Sequence, residues 1–120
     1  MKFLWTTIQV KDLEKSLDFY QTIVGLNVER RIDYPNGKVI IFLGKGETQV
    51  ELVYSKDEKV EIGHSISLGF QVESLNEMMD FVVKNGVSIY EGPIEPNTFI
   101  KFFYVLDPNG LKIQFAQRSS

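Results

Sequence analysis

Glu51 in VELVY and Gln114 in LKIQF are the residues of this chain that bear most directly on chemistry. A carboxylate can take a proton from a bound ligand, so Glu51 is a candidate general base. A glutamine amide donates and accepts hydrogen bonds but carries no charge, so Gln114 can orient a polar group and cannot serve as that base. Trp5 offers one indole N–H, a broad flat face and no lone pair, and Ser67 offers a hydroxyl. The chain has no cysteine, which removes disulfides, thiolate nucleophiles and Cys-ligated zinc from consideration. Its single histidine, His64 in IGHSISL, lies three residues before Ser67, on the opposite strand parity, and reads as an exposed linker residue rather than a ligand.

A duplication supplies the elements that must position these side chains. IQVKDLEKSLDFY (8–20) and FQVESLNEMMDFV (70–82) match at an offset of 62 residues, with Gln9/Gln71, Val10/Val72, Leu13/Leu75, Asp18/Asp80 and Phe19/Phe81 identical. Each copy opens with an alternating strand, Phe3–Val10 or Ser65–Val72. Each then starts a helix, capped by Asp12 in the first copy and by Ser74 with Glu77 in the second. Gly25 and Gly86 end the helices. Three strands follow in each copy, near 26–33, 38–44 and 48–54, then near 87–91, 99–106 and 111–117, with turns at YPNG and DPNG. The charged, aperiodic stretch 55–64 is the linker. The expected fold is α+β: two βαβββ modules, about 1–54 and about 65–118, within one domain spanning 1–120. One helix for four strands leaves one face of each sheet uncovered. Together the modules would form a curved sheet around a central cup, helices outside, and the cup is the natural site.

Strand alternation sorts the faces. Leu4, Ile8, Val10, Val50, Leu52, Tyr54, Ile66, Leu68, Phe70, Ile113 and Phe115 fall on the helix side. Trp5, Thr7, Gln9, Glu51, Ser67, Gly69, Lys112 and Gln114 fall on the other. If the DPNG turn pairs Asp107 with Leu111, Tyr104 stands opposite Gln114 and Phe102 joins it in the cup. A register shifted by one residue would present Phe103 and Val105 instead. The offset makes Trp5 equivalent to Ser67 and, with one inserted residue, Glu51 equivalent to Gln114. The candidate ligand-binding set is therefore Trp5, Glu51, Ser67, Phe102, Tyr104 and Gln114. Phe19, Tyr20, Met79 and Phe81 are expected in the core.

At 120 residues, 43% hydrophobic and 24% charged, the chain has the composition of one globular domain. A net charge of −3 with no Lys/Arg stripe argues against nucleic acid as a partner. MKFLWTTIQV lacks the long apolar run of a secretion signal, and no segment is long and apolar enough to span a membrane, so a cytoplasmic location is expected.

The segments VKDLEKSLDFYQTIVGLNVERR, VELVYS, SLGFQVES and DPNGLKIQF, in this order and spacing, resemble the vicinal oxygen chelate superfamily, the glyoxalase/bleomycin-resistance/dioxygenase proteins. That resemblance covers nearly the whole chain and implies paired βαβββ modules in a homodimer, sometimes with modules exchanged between chains. In its metal-using members a divalent ion sits on His and Glu residues from the first and last strands of each module. Those positions fall here on Trp5, Glu51, Ser67 and Gln114, where the glyoxalase I pattern has His, Glu, His and Glu, so only Glu51 matches. The expectation is a metal-free protein without a cofactor that binds a small organic ligand, aromatic or cationic. The alternative is a glyoxalase-like lyase that isomerises a hemithioacetal, either metal-dependent or with Glu51 as the base. A third possibility is a dimerising accessory domain whose cup is plugged by Trp5.

Overall fold

The structure, a computed structural model, describes residues 1–119. The chain divides into two compact units, Met1–Glu61 and Ile62–Ser120, each built as one sheet and one helix. In the first unit β1 (Thr6–Gln9) leads into α1 (Leu13–Asp18), whose last turn widens into a π-helical turn over Phe19–Ile23; β2 (Val28–Asp33), β3 (Val39–Leu43) and β4 (Val50–Tyr54) follow. The second unit repeats the order with β5 (Ser67–Gln71), α2 (Leu75–Lys84), β6 (Glu91–Ile94), β7 (Ile100–Leu106) and β8 (Lys112–Arg118). The sheets run β1-β4-β3-β2 and β5-β8-β7-β6. In each, the first strand lies parallel to the last and the other pairings are antiparallel. That topology brings Glu51 beside Thr7, and Gln114 beside Gly69.

Local chemistry explains the helix ends. The Asp12 side chain accepts the Lys15 amide at 3.1 Å and Ser74 accepts that of Glu77 at 3.2 Å, each satisfying an N–H the helix itself leaves unbonded. Both helices stop at a glycine with positive φ, Gly25 at 83° and Gly86 at 81°, a region costly for side chains with a Cβ. The π turn closes with Val24 N–H bonded to the Phe19 carbonyl at 3.2 Å. Its extra residue shifts the helical phase, and the sequence neighbours Phe19 and Tyr20 are both buried there.

In the inner strands β3, β4, β7 and β8 every second residue is buried on the helix side, whereas β2 and β6 have no buried residue. Ile8, Ile41, Leu43, Val50 and Leu52 are buried with Tyr20 and Ile23 in the first unit; Phe103, Val105, Ile113 and Phe115 are buried with Leu75 and Val82 in the second. Each such side chain contributes about 1.5–3 kcal/mol of burial.

Several expectations are corrected. Leu4 and Ile66, placed on the helix side, are 54% and 71% exposed, because β1 and β5 begin only at Thr6 and Ser67 and neither residue is held in a ladder. The strand expected at 87–91 lies at Glu91–Ile94. Val87 N–H is still bound to the Val82 carbonyl at the helix end, and the pairing of β6 with β7 breaks register between Glu91 and Ile94. Phe81, expected in the core, is 38% exposed: the buried stripe of α2 runs through Leu75 and Val82, seven residues apart, and Phe81 sits one residue off it. Met79 is half-buried. No helix among the described residues is long and apolar enough to cross a membrane.

Candidate functional site

On the open face of the first sheet, one row crosses all four strands: Thr7, Glu51, Phe42 and Arg30. The Thr7 hydroxyl donates to Glu51 Oε1 at 2.5 Å, and no described residue engages Oε2. Trp5, just ahead of β1, meets Phe42 edge to face, with centroids 5.1 Å apart and planes at 73°. The indole is 38% exposed and Glu51 half-buried, so an acidic oxygen lies on the same open face as two aromatic rings.

The matching row of the second sheet is Gly69, Gln114, Tyr104 and Glu91. Tyr104 stands opposite Gln114, as the turn register predicts, and Asp107 N–H bonds the Leu111 carbonyl at 2.8 Å. Phe103 and Val105 are fully buried on the helix side, so the shifted register does not occur. Gln114 Nε2 donates to the Tyr104 hydroxyl at 3.1 Å. Phe102 lies edge-on to Tyr104 at 5.7 Å, and Lys112 Nζ stands 4.3 Å from the Tyr104 ring centroid. Gly69 makes room for this cluster, since a Cβ there would come within 3.1 Å of Gln114 Oε1. Ser67 is exposed beside Lys112.

The structure thus joins Trp5 to the Glu51 row through Phe42, and it joins Phe102, Tyr104 and Gln114 into one cluster with Ser67 one row away. The duplication places Glu51 and Gln114 alike, yet one accepts from a hydroxyl and the other donates to one. Sequence reasoning placed Thr7 and Lys112 on the correct face without singling them out. Phe42 it missed, because VIIFL is apolar throughout and shows no alternation.

The donor set does not fit a tightly held catalytic zinc or nickel ion. Trp5 has no lone pair, Ser67 is a neutral hydroxyl, and Gln114 offers only a neutral, weakly ligating amide oxygen. Glu51 alone is a strong ligand, with one oxygen bound to Thr7. No group of three or more His, Cys, Asp or Glu side chains gathers among the described residues. His64 stacks flat on Tyr90, planes 7° apart and centroids at 6.0 Å, ahead of β5.

Charge elsewhere is peripheral. A hydrogen bond from Arg31 holds the Asp33 carboxyl below the usual carboxylate range and raises the Arg31 guanidinium in turn. Because the folded value is depressed, whatever Asp33 adds to stability is present above its unfolded pKa and lost as pH falls through the folded one. A surface hollow of about 340 Å³ near the β2–β3 turn is lined by Asn36, Lys38, Ser55, Lys56, Asp57 and Glu58. Its charges cancel, and none of the open-face residues reaches it.

Residues 2–115 match the family described as the Glyoxalase/Bleomycin resistance protein/Dioxygenase superfamily. The chain is 36% identical to a lactoylglutathione lyase of Neisseria meningitidis, over 100% of this chain and 93% of that protein. It is similar to the trypanothione-dependent glyoxalase I of Leishmania major, with a TM-score of 0.82 and 27% identity over 98% of this chain and 86% of that one. An antibiotic-binding protein from Streptomyces shares the fold at a TM-score of 0.75 and 20% identity, over 99% and 97% of the two chains.

Proposed function

The chain belongs to the Glyoxalase/Bleomycin resistance protein/Dioxygenase superfamily, and from that premise we propose that it binds a small organic molecule on its open sheet faces without a catalytic metal. Trp5, Phe102 and Tyr104 supply flat apolar area, while Glu51, Ser67 and Gln114 orient polar groups of the ligand. The observation that carries this reading is the donor set: indole, hydroxyl and amide at three of the four positions where the family resemblance puts metal ligands.

The names of the relatives favour a second reading, a lyase acting on a glutathione hemithioacetal. For that chemistry this chain offers Glu51, whose free oxygen is the only carboxylate position among the candidate residues able to accept a proton from carbon.

Metal content and thermal shift with Ni²⁺, Zn²⁺ and Mn²⁺ separate the two. The expected result for protein purified without chelator is metal well below one ion per chain, and no saturable stabilisation. A tight site would add about 3–4 kcal/mol at metal concentrations 100 to 1,000 times its Kd. Stoichiometric metal, lost on Glu51→Gln, would overturn the metal-free reading. Turnover of the methylglyoxal–glutathione hemithioacetal without metal, abolished by the same substitution, would establish the lyase with Glu51 as its base.

A further inference from the structure

The open face of the second sheet carries two cations, Lys112 and Arg118, on β8. The ion pairs of the described residues are Arg31–Asp33, Lys45–Glu29 and Lys59–Glu61, all in the first unit, so no carboxylate among the described residues pairs with either cation. Arg118 donates to the neutral Gln71 amide at 3.3 Å. Lys112 is half-buried with its ammonium 4.3 Å from the Tyr104 ring centroid. Among the described strand residues of this face the one carboxylate is Glu91, exposed on β6. Glu91 pairs across from Tyr104, and no ion pair joins it to Lys112 among the described residues.

This arrangement has a direct bearing on ligand charge. A cation attracted to the electron-rich face of Tyr104 would find that face already taken by Lys112 and would be repelled by it. An anion would meet the ammonium, the Ser67 hydroxyl on the adjacent strand and the amide hydrogen of Gln114 that Tyr104 leaves free. Beside these donors lie the Phe102 and Tyr104 rings, arranged edge to face. We infer that the open face of the second sheet takes an aromatic carboxylate, its ring against Phe102 and Tyr104 and its anionic group at Lys112. This rests on the ligand-binding reading above; of the aromatic or cationic ligand expected from the sequence it keeps the aromatic character and replaces the positive charge with a negative one.

Three probes with one ring and three charges test it: 2-naphthoate, 2-naphthylmethanol and 2-naphthylmethylammonium, titrated into ¹⁵N-labelled protein. Naphthoate is expected to shift the amides of β7 and β8 and to bind about tenfold tighter than the alcohol, with the ammonium compound weakest. Lys112→Met keeps the apolar stem and should remove the charge preference, bringing naphthoate down to the level of the alcohol. The unmodified protein gives an independent reading: raising salt from about 0.02 to about 0.5 M should weaken naphthoate several-fold and spare the alcohol. Equal binding of all three probes, preference for the ammonium compound, or a naphthoate preference that survives Lys112→Met would overturn the anion assignment while leaving ring binding on this face intact. No shift on β7 or β8 from any probe would overturn both.

Discussion

Asp107→Ala is expected to destabilise the second unit by about 3 kcal/mol, one of the largest losses any single polar substitution could cause. The Asp107 side chain, in a residue 4% exposed, accepts from the backbone N–H of Asn109 at 2.8 Å and of Leu111 at 2.9 Å, and from the Asn109 side chain at 3.2 Å. Alanine leaves two buried amide N–H groups without their acceptor, each worth about 1–3 kcal/mol when stranded. The damage extends beyond the turn, because this bonding sets the pairing of β7 with β8 and hence places Lys112 and Gln114 on the open face. Urea unfolding measures it. Asp107→Asn, which keeps one carbonyl oxygen, should lose distinctly less. A loss below about 1 kcal/mol for the alanine variant would mean that strand pairing holds the register without the turn.

Two neighbouring phenylalanines should behave oppositely. Phe103 is fully buried, its ring 5.5 Å from that of Phe115, and Phe103→Ala is expected to cost about 3–5 kcal/mol of stability. Phe102, one residue earlier and half-buried on the open face, should cost about 1 kcal/mol as Phe102→Ala, yet weaken binding of a naphthalene-ring probe severalfold. Denaturation curves and the ¹⁵N titration on both variants check the pair. Equal destabilisation by the two substitutions would show that the open face is packed as part of a core and holds no ligand.

What could be read from the sequence depended on periodicity and turns. The duplication, the caps at Asp12 and Ser74 and the Tyr104–Gln114 pairing follow from patterns a few residues long, and each is present in the structure. Leu4 and Ile66 went astray because parity says which way a residue would point in a strand, not where the ladder starts. β6 was displaced by a local irregularity at Gly92, whose φ of 106° and close approach to Phe103 no hydrophobic pattern encodes. The site itself was half legible. Faces could be assigned, but Thr7 bonding Glu51, Phe42 supporting Trp5 and Lys112 reaching diagonally across to Tyr104 are side-chain meetings that depend on rotamers as well as register.

The Asp107 turn also governs how the molecule ages. Asn followed by Gly is the peptide sequence most prone to lose its side-chain amide: the glycine nitrogen attacks the asparagine Cγ, ammonia departs, and water opens the succinimide to aspartate or isoaspartate. The chain contains three such pairs, at Asn36, Asn85 and Asn109. Asn109 is 5% exposed with its amide nitrogen bound to Asp107, and the Asn85 amide nitrogen is bound to the Phe81 carbonyl at 2.8 Å, so ring closure must first break those contacts. Asn36 is exposed, and only its oxygen is engaged, by the Lys38 amide at 3.0 Å. The glycine nitrogen is bonded to a carbonyl at 3.0 Å in all three pairs, so the asparagine side chains decide, and slow chemical wear is expected first at the β2–β3 turn, away from the strand that carries Lys112 and Gln114.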